Sequence, residues 1–345
     1  MNILVTGCKG YIGSVLVSRL QKSGHFIYGL DIGYYDDCLL EQNREKFKYN
    51  NKDIRDLNYK DLENVEYIIH LAALSNDPLG QLNPSLTNEI NYKSTINLAE
   101  LSKKLGVKRF IYASSQSMYG ISNTDDELDE YNSIKNPITS YAETKWRSEQ
   151  YLKNLNDENF TVVCLRPSTV FGVSPRLRCD IVYNNFVACA YTTGKIEIKS
   201  DGSPWRPVVH VQDVSSAFVA CVNAPSNLIS GKSYNVGIKN GNYSVKNLAD
   251  TASNVVPGSN VIYTGEHGKD SRSYKVSFQR ILKELKDYYK PEWNLHSGGL
   301  ELVDFFKKIN FNEEMFRGNR CNRLSKLNFL IENGIISEEL RYLKN

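Results

Sequence analysis

The chain has no C-x-x-C pair, and its seven cysteines, at 8, 38, 164, 179, 189, 221 and 321, are odd in number and unpatterned. That excludes a regular disulfide framework and fits the reduced thiols of a cytoplasmic protein. Histidine is scarce, five in 345 residues and well separated, so no metal-ligand spacing is present. No apolar run approaches the roughly 18 residues that cross a bilayer. The start, Met1-Asn2-Ile3-Leu4-Val5-Thr6-Gly7, reads as a first strand rather than as a secretory signal. One-sided charge is missing too. A net +3 from 42 Lys+Arg against 39 Asp+Glu favours neither nucleic acid nor a membrane surface as partner. With 41% hydrophobic and 23% charged residues and no repeat, the chain suits one large globular unit or two closely packed ones.

What is present begins with Ile3-Leu4-Val5 and Thr6-Gly7-Cys8-Lys9-Gly10-Tyr11-Ile12-Gly13. An amphipathic stretch over 14–21, a Lys22-Ser23-Gly24 stop, a second apolar run Phe26-Ile27-Tyr28-Gly29-Leu30 and then Asp31 complete the pattern. It reads strand, glycine turn, helix, strand, carboxylate. Glycines admit a pyrophosphate to the backbone, and the helix start offers amides and a favourable dipole. The spacing is G-x-x-G-x-x-G rather than G-x-G-x-x-G. Asp31, placed to accept from a ribose 2′-hydroxyl and to repel a 2′-phosphate, favours NAD over NADP. Asp53, beside Ile54, is placed either to reach an adenine amine or to make a plain turn. Residues 65–70 form a strand that leads into Leu71-Ala72-Ala73, small enough for a cofactor to lie close. A turn-rich loop over 75–84, a helix over 86–105 closed by Gly106, and a strand over 107–113 follow. This alternation predicts an α/β, doubly wound parallel sheet.

The 107–113 strand delivers Ser114-Ser115-Gln116-Ser117, and 26 residues after Ser115 comes Tyr141-Ala142-Glu143-Thr144-Lys145. A helix capped by Ser140, with Glu143 completing a capping box, would put the phenol and the ammonium on one face. A free tyrosine titrates near pH 10, and an adjacent cation favours its phenolate. Such a tyrosine can take a proton from a hydroxyl as hydride leaves the same carbon, with Ser115 hydrogen-bonded to the reacting group.

The glycine turn, Asp31, His70-Leu71-Ala72-Ala73, Asn91 in Glu89-Ile90-Asn91-Tyr92-Lys93, Ser115, Tyr119-Gly120 and Tyr141…Lys145 together resemble the extended short-chain dehydrogenases/reductases, the nucleotide-sugar epimerases and dehydratases. The resemblance spans roughly 2–280. It implies a Rossmann-type fold, NAD on Gly7, Gly10, Tyr11, Ile12, Gly13, Asp31, Asp53, Ile54, Leu71, Ala72, Ala73 and Asn91, and a nucleoside-diphosphate sugar as substrate. Tyr141 would be the acid/base, with Lys145 on the nicotinamide ribose and holding the tyrosine pKa down. Dimerisation through the helices near 86–105 and 140–157 is also implied.

The resemblance divides the chain into an NAD-binding part over 1–166 with returns near 208–240, a substrate lobe over 167–207 and 241–310, and an extension over 311–345. One of Asn184 and Asn185, on a helix over 180–191, would touch substrate. Arg206, after Trp205, matches an arginine that binds the substrate diphosphate, for which a guanidinium fork is suited. Asp270 and Arg272 match the segment that closes over the nucleotide, with His267 where many epimerases place an arginine. In the extension, 324–331 is a helix expected to dock. The family's 4,6-dehydratases carry an Asp-Glu pair immediately after the hydroxyl residue, where this chain has Gln116 and Ser117. The expectation is therefore epimerisation through oxidation and reduction at C4, or a net dehydrogenase using the same residues.

Asp31→Ala is expected to weaken NAD binding and to narrow the preference over NADP, since the carboxylate's bonds and its repulsion vanish together. Titration of both cofactors into both proteins checks this, and equal wild-type affinities would remove Asp31 from cofactor selection.

Overall fold

The computed structural model describes residues 1–40, 47–122, 126–264 and 273–343. Seven strands form one sheet in the order Lys232–Val236, Thr161–Pro167, Arg109–Ala113, Tyr67–His70, Asn2–Thr6, Phe26–Asp31, Lys48–Asn51. Every neighbouring pair is parallel. The strands read as near-continuous apolar runs because both faces are covered. Alternate residues serve opposite faces. Ile3, Val5, Ile69, Ile111, Val163 and Leu165 pack with Leu16, Leu20, Val214 and Phe218 of the helices Tyr11–Lys22 and Val211–Asn223. Leu4, Ile68, Phe110, Tyr112, Val162 and Cys164 pack with Leu98, Ala99 and Leu152 on the other side. Leu327 and Leu330 of a late helix, Arg323–Glu332, join that second face.

A smaller layer sits beside the sheet's C-terminal edge. Its central strand Trp205–His210 pairs in parallel with Thr169–Phe171 and antiparallel with Asn242–Ser244. They share a separate apolar core with the helices Val182–Thr193, Val245–Val255 and Leu295–Lys308. Tyr11 links the two layers, its hydroxyl donating to the Gly172 carbonyl at 2.6 Å.

Several local expectations are corrected. Thr139, not Ser140, caps the helix Ser140–Leu155, its side chain accepting from the Ala142 amide. Glu143 instead faces Arg147 at 3.8 Å on the surface. The 86–105 helix is three pieces: Pro84–Thr87, a wide π-helical turn Asn88–Lys93, and Ser94–Lys104. Inside the expected 75–84 loop lies a short helix, Asp77–Leu82, capped by Asn76.

The helix Ser140–Leu155 is fastened to the sheet by a fully buried ion pair. Arg166 meets Glu149 at 2.5 Å and 3.0 Å. The Ser114 and Ser233 hydroxyls also donate to Glu149, each at 2.6 Å. Burial alone would raise the Glu149 pKa, but Arg166 outweighs it and holds the carboxyl well below the usual range. Arg166→Met leaves that buried carboxylate without its main partner, with only the half-buried Lys153 ammonium at 3.4 Å to offset it, so it is expected to cost ~3–5 kcal/mol. Urea unfolding measures it, and a loss of under ~1 kcal/mol would contradict the burial argument.

Candidate functional site

A cleft of about 750 Å³ opens at the C-terminal ends of the strands. It crosses the gap between Asn2–Thr6 and Tyr67–His70 where the strand order reverses, the place where such sheets hold ligands. One wall is the glycine turn. Gly7 has φ +70°, and a Cβ there would lie 2.8 Å from the Ala72 amide nitrogen. A Cβ on Gly13 would lie 2.1 Å from the Gly7 carbonyl oxygen. Turn, helix and strand end therefore meet backbone to backbone. The helix Tyr11–Lys22 starts from Gly10 with no side chain capping it. Gly10, Tyr11, Ile12 and Gly13 line the cleft beside Leu71, Ala72 and Ala73. Uncapped amides at a helix start suit a phosphate.

At the outer end Asp31 accepts from the Lys9 and Gly33 amides, both at 2.9 Å. Burial pushes its pKa up, and those two bonds oppose the shift. Asp53 and Ile54 also line this end. The Asp53 carboxylate caps the turn at Arg55, paired with Arg55 at 2.6 Å and with Arg341 at 3.1 Å. That is the turn reading rather than a carboxylate open to adenine.

At the inner end Ser115, Tyr141 and Lys145 line one stretch of wall. Ser115 lies two residues past the strand Arg109–Ala113 and accepts from the Ser117 amide at 3.1 Å. The Lys145 ammonium donates to the Ala113 carbonyl at 2.7 Å and sits 4.8 Å over the Tyr112 ring. Burial brings its pKa down to about 7. Burial raises Tyr141 to about 12, with the Ser115 hydroxyl acting in the opposite direction. The expected lowering of the phenol by Lys145 thus does not outweigh that burial. His70 stays neutral: burial drops it to about 3, and its ring nitrogens meet the Thr6 and Thr95 hydroxyls at 2.6 Å and 2.8 Å.

Two further site expectations are corrected. Asn91 does not line the cleft. It is buried behind it, exchanging bonds with the Leu74 backbone at 2.8 Å and 3.1 Å and so fixing the turn after Ala73. Asn184 also lies behind the wall, accepting from the Gly172 amide at 2.9 Å and donating to the Arg178 carbonyl at 2.8 Å. Asn185, by contrast, reaches the cleft, as do Arg206 and Tyr274. Arg206 donates to the Trp205 carbonyl at 2.9 Å. Asp270 and Arg272, with His267, lie outside the described residues.

Sequence reasoning missed a second cluster on the wall: Tyr34, Tyr35, Arg178, Asp180, Asn322, Arg323 and Leu324. Arg178 pairs with Asp180 at 2.9 Å. The Ser174-Pro175-Arg176-Leu177-Arg178 run was a local signal for part of it. No spacing pointed to Arg323, which arrives from 147 residues beyond its hydrogen-bond partner Arg176.

A parallel sheet with a phosphate-ready glycine turn, a carboxylate after the second strand and a Ser/Tyr/Lys set define a dinucleotide-dependent enzyme scaffold of the short-chain dehydrogenase/reductase type. The chain belongs to the NAD dependent epimerase/dehydratase family, whose model matches residues 3–237. It is 32% identical over 254 residues to a UDP-glucose 4-epimerase of Mycolicibacterium smegmatis, covering 69% of this chain and 77% of that one. Protein CapI of Staphylococcus aureus is 27% identical over 333 residues, covering 89% and 98%. Among solved structures, MoeE5 in complex with UDP-glucose and NAD superposes with TM-score 0.76 at 25% identity, over 89% of this chain and 99% of that one. The Thermotoga maritima UDP-glucose 4-epimerase with UDP-glucose gives 0.77 at 25% identity over the same shares.

The depressed Lys145 pKa has a consequence for stability. Between its folded value of about 7 and an unfolded value of about 10.4, the unfolded chain binds more protons at this residue. Stability from Lys145 therefore rises with pH across that window and is lowest below pH 7. Relative to Lys145→Met, wild type is expected to gain stability from pH 7 to 10, by at most ~1.4 kcal/mol per pH unit. Urea unfolding of both proteins across that range tests it, and a pH-independent difference would mean that Lys145 is not the buried titrating group.

Proposed function

We propose that the protein is an NAD-dependent nucleotide-sugar epimerase that oxidises and re-reduces one sugar carbon, C4. The observation that carries this reading is the convergence of Ser115, Tyr141 and Lys145 in the same cleft as the glycine turn and Asp31. The cleft's residues fit a dinucleotide: glycines where a Cβ would collide, an uncapped helix start and a carboxylate at the ribose end. NAD, when bound, supplies a two-electron acceptor. Tyr141 takes the proton of the sugar hydroxyl as that carbon is oxidised, and returns it on reduction of the opposite face. Ser115 donates a hydrogen bond to the developing carbonyl oxygen. Arg206 and Asn185, on the wall away from Asp31, bind the nucleoside-diphosphate part. The UDP-sugars named for the relatives support that substrate class.

Elimination of water uses titratable acids at the two positions after the hydroxyl residue, and here those positions are Gln116 and Ser117. Gln116 is buried, its amide donating to the Arg166 carbonyl at 3.0 Å and accepting from the Ser168 hydroxyl at 3.2 Å. Ser117 supplies only a hydroxyl, a poor base near neutrality.

Purified protein is expected to carry NAD(H) and to equilibrate two C4 epimers without added cofactor, with no product lighter by one water. Tyr141→Phe should keep its NAD and lose turnover by about 10²–10⁴. Chromatography of the denatured supernatant, a proton spectrum of the sugar mixture and its mass spectrum read all of this. Protein that emerges empty, or NADH that accumulates in step with a keto sugar, would replace the epimerase with a net dehydrogenase.

A further inference from the structure

The last part of the chain reaches the Asp31 end of the cleft, and it does so with a cation whose hydrogen bonding is incomplete. Arg323 is 3% exposed and lines the cleft with its neighbours Asn322 and Leu324. Its Nη2 donates to the Arg176 carbonyl at 2.7 Å, and its guanidinium lies 4.5 Å over the Tyr35 ring. Its Nη1 is buried and has no hydrogen-bond partner among the described residues. No carboxylate among the described residues lies in ion-pair range of it, whereas neighbouring Arg178 has Asp180 and Lys326 has Asp37. A buried, half-satisfied guanidinium beside another arginine is costly, and an anion entering the cleft would relieve that cost.

The surroundings say which anion. Arg176, on which Arg323 rests, donates to the Ser14 hydroxyl at 3.3 Å, and Ser14 lies in the first turn of the helix that the glycine turn opens. Arg323 is itself the first residue of the helix Arg323–Glu332, whose Asn322 cap accepts from the Ser325 amide, so the dipole of a second, capped helix start adds to the same space. The chain around it is fastened to the Asp31 side. The Tyr34 hydroxyl and Arg55 both donate to the Leu340 carbonyl. Arg320 donates to the Leu39 carbonyl at 2.6 Å.

We infer that Arg323 is a phosphate ligand of the dinucleotide, contributed by the C-terminal segment 317–343, which forms the outer wall of the cofactor site and slows cofactor release. This rests on the reading of the cleft as the NAD site. It adds a binding residue outside the stretch that the family model matches, and it gives a physical means of keeping NAD through a catalytic cycle.

Calorimetry with NAD, ADP-ribose, adenosine and UDP, on wild type and Arg323→Gln, tests the inference. Loss of a charge-assisted bond is expected to weaken NAD and ADP-ribose by about 10- to 100-fold. Adenosine, which has no phosphate, and UDP should bind both proteins alike, and NADH should leave the variant faster in a fluorescence chase. Unchanged NAD affinity in a folded variant overturns the inference. So does an equal loss for adenosine, which would make Arg323 a shaper of the cleft, and so does a loss confined to UDP, which would assign it to the nucleotide sugar. If Arg323→Gln does not fold, Arg323→Lys keeps the charge without the fork and should give a smaller loss of the same pattern; wild-type NAD affinity and release there overturn it equally. Wild type that binds neither NAD nor ADP-ribose would remove the cofactor reading itself, a result distinct from all of these.

Discussion

Tyr141, Lys145 and Glu149 stand four residues apart on one face of the helix Ser140–Leu155, and the buried Glu149–Arg166 pair decides where that face sits. A desolvated carboxylate and guanidinium tolerate few arrangements, because any slip leaves an uncompensated charge. Here the pair is completed by hydroxyls from Ser114 and Ser233 on the carboxylate side. On the guanidinium side it is completed by the Tyr119 hydroxyl at 2.8 Å. Ser114 precedes Ser115, and Tyr119 closes the turn that Ser115 caps. One ion pair thus sets both the helix that carries the acid/base and the turn that carries its hydroxyl partner, and neither of its members touches the cleft.

The same burial that fixes these groups also sets their proton affinities. Lys145 has a backbone carbonyl and an aromatic face for company rather than a carboxylate, so its charge is held at a cost. The phenol of Tyr141 is equally desolvated and is held protonated, with the Ser115 hydroxyl and, more weakly, the Arg178 charge acting against this. A phenol in that state is a good donor and a poor base. Whatever makes it a base must enter the cleft as positive charge or as further hydrogen bonds to the phenolate.

Where chemistry depends on neighbours in sequence, the sequence was readable. The glycine turn and Asp31 are set within one strand–turn–helix–strand unit, the Tyr141 and Lys145 spacing within one helix, and the run of strands and helices implied the parallel sheet. Asn91 and Asn184 misled because an amide suits a ligand and a backbone bracket equally well, and only tertiary placement separates the two uses. Ser140 looked like a cap because Thr139 beside it was an equally good one. The π-helical turn at Asn88–Lys93 leaves no mark in apolar periodicity. Arg178 and Arg323 were out of reach for another reason: their position comes from contacts between segments far apart in the chain.

The outer end of the cleft shows how such distant contacts divide the labour. Arg341 pairs with Asp53 and Asp56, and Lys326 with Asp37; each pair has at least one exposed member, although Lys326 and Asp53 are buried, and solvent at the exposed member limits what such pairs contribute. Leu327, Leu330 and Leu340 are buried in the sheet's second core, each worth ~1.5–3 kcal/mol. Leu340 even keeps a backbone φ of +55°, unfavourable by ~1–2 kcal/mol for a residue with a side chain. Its carbonyl accepts from the Tyr34 hydroxyl and from Arg55. Apolar burial therefore holds the segment down, and the charged contacts choose its register against the loop after Asp31. A wall built that way stays seated when any one ion pair is lost. It can thus hold Arg323, with one guanidinium nitrogen unpaired, at the cleft without the whole segment depending on that residue.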